Sequence, residues 1–148
     1  MEGAELIAEA LGRVNAILHR SLEGTPADML CRMPAPHANS MAWTAWHLTR
    51  VQDDHISDLA ELPELWTSAG WHTRFDMEPD DAETGQGHTF DELAAFKVES
   101  AEVLLAYQDA VYERSKEYLA GLKPADLVRE LDEPQYDPLP TVGVRLVS

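Results

Sequence analysis

With 148 residues the chain has the length of one domain and can bury a core without disulfide or metal staples, and its 45% hydrophobic and 26% charged composition excludes wholesale disorder and a disulfide framework. A formal net charge of −16, from 27 acidic against 11 basic residues that are scattered singly from Arg13 to Arg145, argues against nucleic acid and anionic membrane surfaces as partners. The single cysteine, Cys31, leaves no intrachain disulfide and fits a reducing, cytoplasmic compartment, while neither a basic leader nor an apolar run of about 18 residues is present to target or span a membrane.

In chain order, Ile7, Leu11, Val14, Leu18 and Leu22 recur at spacings of three and four, which predicts a first long helix over 4–22. Thr25-Pro26-Ala27-Asp28 reads as an N-cap threonine with proline in the first helical position, opening a short helix to about Cys31 that Pro34 and Pro36 end. Ser40 is the expected N-cap of a second long helix reaching Leu62, with Pro63 as its stop. Residues 63–88 carry Gly70, Pro79, Gly85, Gly87 and an acidic run without sustained periodicity, the signature of a long loop.

Thr89-Phe90-Asp91-Glu92 is a capping box, and the stretch to Leu119 places Leu93, Leu104, Tyr107, Val111 and Tyr118 on one face with no internal Gly or Pro, predicting one uninterrupted third long helix. After Gly121, Pro124-Ala125-Asp126 opens a further short helix, and Thr141 caps a fourth helix that Val142–Val147 only begin. The segment from Gly24 echoes that from Gly121, each lying between a long helix and a proline-containing link, so two helical hairpins are implied. The expected architecture is all-α, one domain over 1–148, an up-and-down four-helix bundle interrupted within its fourth helix. The completing helix could lie beyond residue 148, come from a partner chain, or be absent because the link reads differently.

The densest chemistry lies on the second long helix, Ser40 to His55. At about 100° per residue, Asp54 and Asp58 fall on one line with His47, and Met41, Leu48, Leu59 and Leu62 form an apolar stripe a quarter-turn away, so His47 stands at the border of core and polar face. A neutral imidazole there suits a metal ligand oriented by a nearby carboxylate, although a lone helical histidine is more often a hydrogen-bonded or surface residue and one histidine cannot hold a metal. His55 reads as a packed residue, His37, His72 and His88 as solvated loop histidines, and His19 as a complement to the helix dipole. All 4 tryptophans, Trp43, Trp46, Trp66 and Trp71, sit on this helix or just after it, and either line a pocket or cap one bundle end. Cys31 reads as a packed thiol.

Asn39-Ser40-Met41-Ala42-Trp43 running into Trp46-His47-Leu48-Thr49-Arg50-Val51-Gln52-Asp53-Asp54, then Leu65-Trp66 to Gly70-Trp71 and the closing Thr141 to Ser148, resemble the actinobacterial branch of the DinB/YfiT-like superfamily, which includes the metal-binding domains of mycothiol-dependent maleylpyruvate isomerases. The resemblance implies a DinB-like four-helix bundle in which His47 is the first ligand of a divalent metal, zinc or nickel. The other ligands, an acid or histidine pair on the fourth helix, have no counterpart among these residues. Trp43, Arg50 and Asp54 are then the candidate pocket or supporting residues.

The function so implied is a metal- and low-molecular-weight-thiol-dependent transferase or isomerase, with mycothiol as cosubstrate and a small electrophile as substrate. Eight arginines against three lysines fit the GC-rich genome of a mycothiol producer. The alternative is a non-enzymatic bundle binding a partner or small ligand through its tryptophan-rich end. Wide apolar helix faces and an unfinished fourth helix further predict a homodimer.

Overall fold

The computed structural model describes residues 1–148 and is all-helical, in the order α1 Gly3–Leu22, α2 Ala27–Leu30, α3 Met41–Leu59, α4 Leu65–Ser68, α5 Trp71–Arg74, α6 Phe90–Ala95, α7 Ala101–Ala120, α8 Pro124–Leu127 and α9 Val142–Val147. The long helix α7 packs against both α1 and α3, while α9 packs against α3 and α8 in the position of a fourth bundle member. Each long helix of the two hairpins is followed by its short helix, α1 by α2 and α7 by α8, as the internal echo implies. The link after α8 is closed by a single antiparallel bridge, Glu130 to Thr141, which sets α9 beside α8.

Three helix starts follow from local chemistry: the hydroxyls of Ser40, Thr89 and Thr141 accept the backbone N–H groups of Trp43, Glu92 and Val144. Thr25 does otherwise. Its hydroxyl donates to the Ser21 carbonyl and so trims the end of α1, and Pro26 takes the N-cap position of α2.

Three other boundaries differ from the sequence pattern. Helix α3 stops at Leu59, ahead of Pro63, because Glu61 turns left-handed at φ 56° and the amides of Glu61 and Leu62 reach back to the carbonyls of Asp58 and Ser57. This is a Schellman closure with glutamate in the place usually held by glycine. Residues 63–88 hold two short helices, α4 and α5, where a long loop was expected. The expected third long helix is divided into α6 and α7 by an extended Phe96, φ −66° and ψ 123°. The interruption lets Phe96 lie against Trp46 with ring centroids 4.9 Å apart, while the amide of Val98 donates to the Cys31 sulfur at 3.4 Å. Packing of Phe96 thus outweighs the continuity of a helix with no Gly or Pro in it.

The core gathers Trp43, Trp46, Trp66, Phe75, Phe96 and Tyr107 with the aliphatic residues of α7. On α3 the buried face runs through Ala42, Trp43, Trp46, Thr49, Arg50, Asp53 and Ser57, whereas Met41 and Leu62 of the expected apolar stripe are exposed. A helix with its arginine and aspartate inward demands that both buried charges find partners.

Candidate functional site

Trp43, Trp46, His47 and Arg50 stand at i, i+3, i+4 and i+7 on α3 and so share one face. Across this face lies the acidic segment from Glu64 to His88, tied down at several points. The His47 imidazole is stacked on Trp43, centroids 4.6 Å apart and planes 18° from parallel, and its Nδ1 meets the Thr84 carbonyl. A carbonyl only accepts, so Nδ1 carries the proton and Nε2 of the neutral ring keeps a lone pair. Gly85 lies flush on the same group at φ 88°: an added Cβ would stand 2.8 Å from Trp46, 2.9 Å from Trp43 and 3.2 Å from His47 Nδ1. Only glycine meets both demands.

His88 is no solvated loop histidine. The indole N–H of Trp43 donates to its Nδ1 at 3.0 Å and its Nε2 faces a Glu83 carboxylate oxygen at 2.9 Å. An indole only donates, so His88 accepts through Nδ1 and donates through Nε2.

Arg50, fully buried, is the anchor of the segment. Its Nε and Nη2 donate to the carbonyls of Glu83 and Asp81 at 3.0 and 2.9 Å, Nη1 donates to Glu64 at 2.6 Å, and the guanidinium lies over the Trp66 ring at 4.7 Å. Asp53, also fully buried, accepts the backbone amides of Leu65 and Trp66, the Ser57 hydroxyl, and the Tyr107 hydroxyl at 2.7 Å. Burial pushes Glu64 up to about 7, with Asp53 and Asp81 adding to the shift against the opposing pull of Arg50. Burial likewise holds the Tyr107 hydroxyl well above its ordinary range, so it remains a donor. Arg50 is therefore a structural clamp of the segment, not a lining residue of a pocket.

On its other side His47 borders a groove of about 340 Å³ between α1, α3 and α9, lined by Leu11 and Val14, by Leu48 and Val51, and by Arg145 and Leu146. His55 also lines it, with Nδ1 3.2 Å from the Arg145 carbonyl. Desolvation lowers the His55 pKa, opposed by Asp54 and helped by Arg145, which favours the neutral ring. Asp54 lies beside His55, 3.9 Å from its Nε2, and faces a neighbouring hollow with Glu133 and Tyr136. The group orienting His47 is the Thr84 carbonyl, where the sequence suggested a carboxylate. His19, expected to answer a helix dipole, pairs with Asp109 of α7 at 2.7 Å.

A metal centre needs three protein donors, and no group of three His, Cys, Asp or Glu side chains is assembled among these residues. The residues present do not fit the centre that the resemblance implies; His47 supplies one donor of the set. Trp43 and His47 are brought together as expected, while the contributions of Glu83, Thr84, Gly85 and His88 were not foreseen. The pair of glycines at 85 and 87 flanking a polar residue was the available signal.

The family model of the DinB superfamily matches residues 10–147. The crystal structure of a conserved protein from Enterococcus faecalis superposes with a TM-score of 0.89 at 31% identity, over 99% of this chain and 86% of that one. Among curated proteins none matches.

Proposed function

Because the chain belongs to the DinB superfamily, we propose that it is a helical bundle whose working group is the Nε2 lone pair of His47, the first ligand of a divalent metal such as zinc or nickel. The observation that carries this reading is the bond from Nδ1 to Thr84, which leaves the ligating nitrogen unprotonated in the neutral ring, the arrangement found around metal-bound histidines. No group of three donors is assembled around His47 among residues 1–148, so the chain by itself supports ligation and not a catalytic step. With such a centre complete, the reading extends to a mycothiol-dependent transferase or isomerase acting on a small electrophile, in the cytoplasm and as a homodimer.

The rival reading, ligand binding at a tryptophan-rich end, draws no support from the indoles. Trp46 and Trp66 are fully buried and pack on Phe96, Phe75 and Tyr107.

Nickel added in steps to the tag-free protein, followed by paramagnetic broadening of the histidine ring signals, tests the proposal. His47 is expected to broaden first, and His47→Ala to leave the protein folded with weaker nickel uptake. Prior broadening of His19, His37 or His72, or unchanged uptake by His47→Ala, would overturn it.

A further inference from the structure

The turn Glu83–His88 meets His47 and its stacking partner at three points. Thr84 offers its carbonyl to Nδ1, Gly85 closes the space beside that nitrogen, and His88 ties the far end of the turn to Trp43, the ring on which His47 is stacked. Within the turn, Glu83 accepts from the Gly85 amide at 3.1 Å and from His88 at 2.9 Å, and Arg50 holds its carbonyl from below. His88 stands between a donor-only and an acceptor-only partner and His47 faces an acceptor-only one, so each neutral ring is held to one tautomer.

We infer that this turn is a positioning device that commits His47 to the Nδ1–H tautomer, with His88 as the latch that keeps the turn seated through Trp43. The inference rests on the reading of His47 as the working imidazole. A neutral imidazole in water exchanges its proton between the two nitrogens, and only the form with a free Nε2 can accept a proton at that nitrogen. Seating Thr84 removes the other form. Close packing accounts for Gly85: a side chain there would press on Trp46, Trp43 and His47 and lift the turn with its carbonyl. His88 acts through Trp43 and Glu83, without touching a ligand, and is a positioning residue.

The tautomer is directly readable from the ring ¹⁵N shifts and two-bond couplings of His47 in the metal-free protein. Wild type is expected to show the Nδ1–H pattern alone. Gly85→Ala and His88→Leu are each expected to give a mixture of tautomers at His47 while His19, on the far helix pair, keeps its pattern. His88→Gln, whose amide retains an acceptor for Trp43 and a donor for Glu83, is expected to restore the wild-type pattern. An Nε2–H pattern in wild type overturns the inference, as does an unmoved pattern in both disruptive variants, and equal behaviour of His88→Leu and His88→Gln overturns the part given to His88. Should Gly85→Ala fail to fold, the wild-type pattern and the His88 pair decide. Because the readout needs no metal, its failure is distinct from a failure of nickel to find His47.

Discussion

Asp53 lies with one carboxylate oxygen 2.9 Å from the backbone nitrogen of Trp66, so the middle of α3 caps the first turn of α4. The same carboxylate holds the Leu65 amide and the Tyr107 hydroxyl, joining α3, α4 and α7 at one buried charge whose counter-ion is Arg50, 3.8 Å away. Removing one partner of a buried ionic group leaves the other uncompensated, at a cost of about 3–5 kcal/mol. Asp53→Ala is therefore expected to lose about that much in urea denaturation. Tyr107→Phe, which removes the bond donated to Asp53 and the longer one accepted from Arg50, is expected to lose about 1.5–3 kcal/mol. In the double variant the losses should fall short of additive, and strict additivity would show that the two groups do not interact.

The buried cluster at Arg50 contains two carboxylates for one guanidinium, with Asp81 near by, and Glu64 is the member that yields. Its folded pKa of about 7 stands above its ordinary 4.5, so between these values the folded chain holds a proton that the unfolded chain has released. The stabilisation is fully present below about 4.5 and is lost as pH rises through about 7. His55 shifts the opposite way, and its contribution grows as pH rises toward 6.5. The difference between wild type and Glu64→Gln isolates the glutamate. Melting temperatures measured from pH 4 to 8 should show wild type losing ground to Glu64→Gln as pH rises, and parallel curves would assign Glu64 an unshifted pKa.

Apolar side chains remain uncovered along α1 and α9, among them Leu6 at 60%, Ile17 at 49% and Val147 at 71% exposure. Leu6 and Val147 edge a hollow between the two helices that adjoins the His47 groove. If two copies meet there, a net charge of −16 on each opposes their approach, and salt that screens the repulsion favours pairing. Sedimentation velocity at micromolar protein is expected to show a dimer whose fraction rises with sodium chloride. A monomer at every salt concentration would set the homodimer aside.

What the residues determine alone is what depends on near neighbours. The spacing of Leu11, Val14 and Leu18 gives α1, the hydroxyls of Ser40, Thr89 and Thr141 start α3, α6 and α9, and Pro124 starts α8, because each acts within a turn of itself. His47 and Trp43 could be paired from sequence for the same reason, being one turn apart on one helix. The tertiary structure decided the rest. The division of α6 from α7 depends on Phe96 finding Trp46, the inward face of α3 on Asp53 and Arg50 finding Tyr107, Glu64 and two loop carbonyls, and the state of His47 on a carbonyl 37 residues away. Periodicity reads a buried arginine or aspartate as a solvated one, since the partners that make burial tolerable lie far along the chain and meet it only when the segment from Glu64 to His88 has folded across α3.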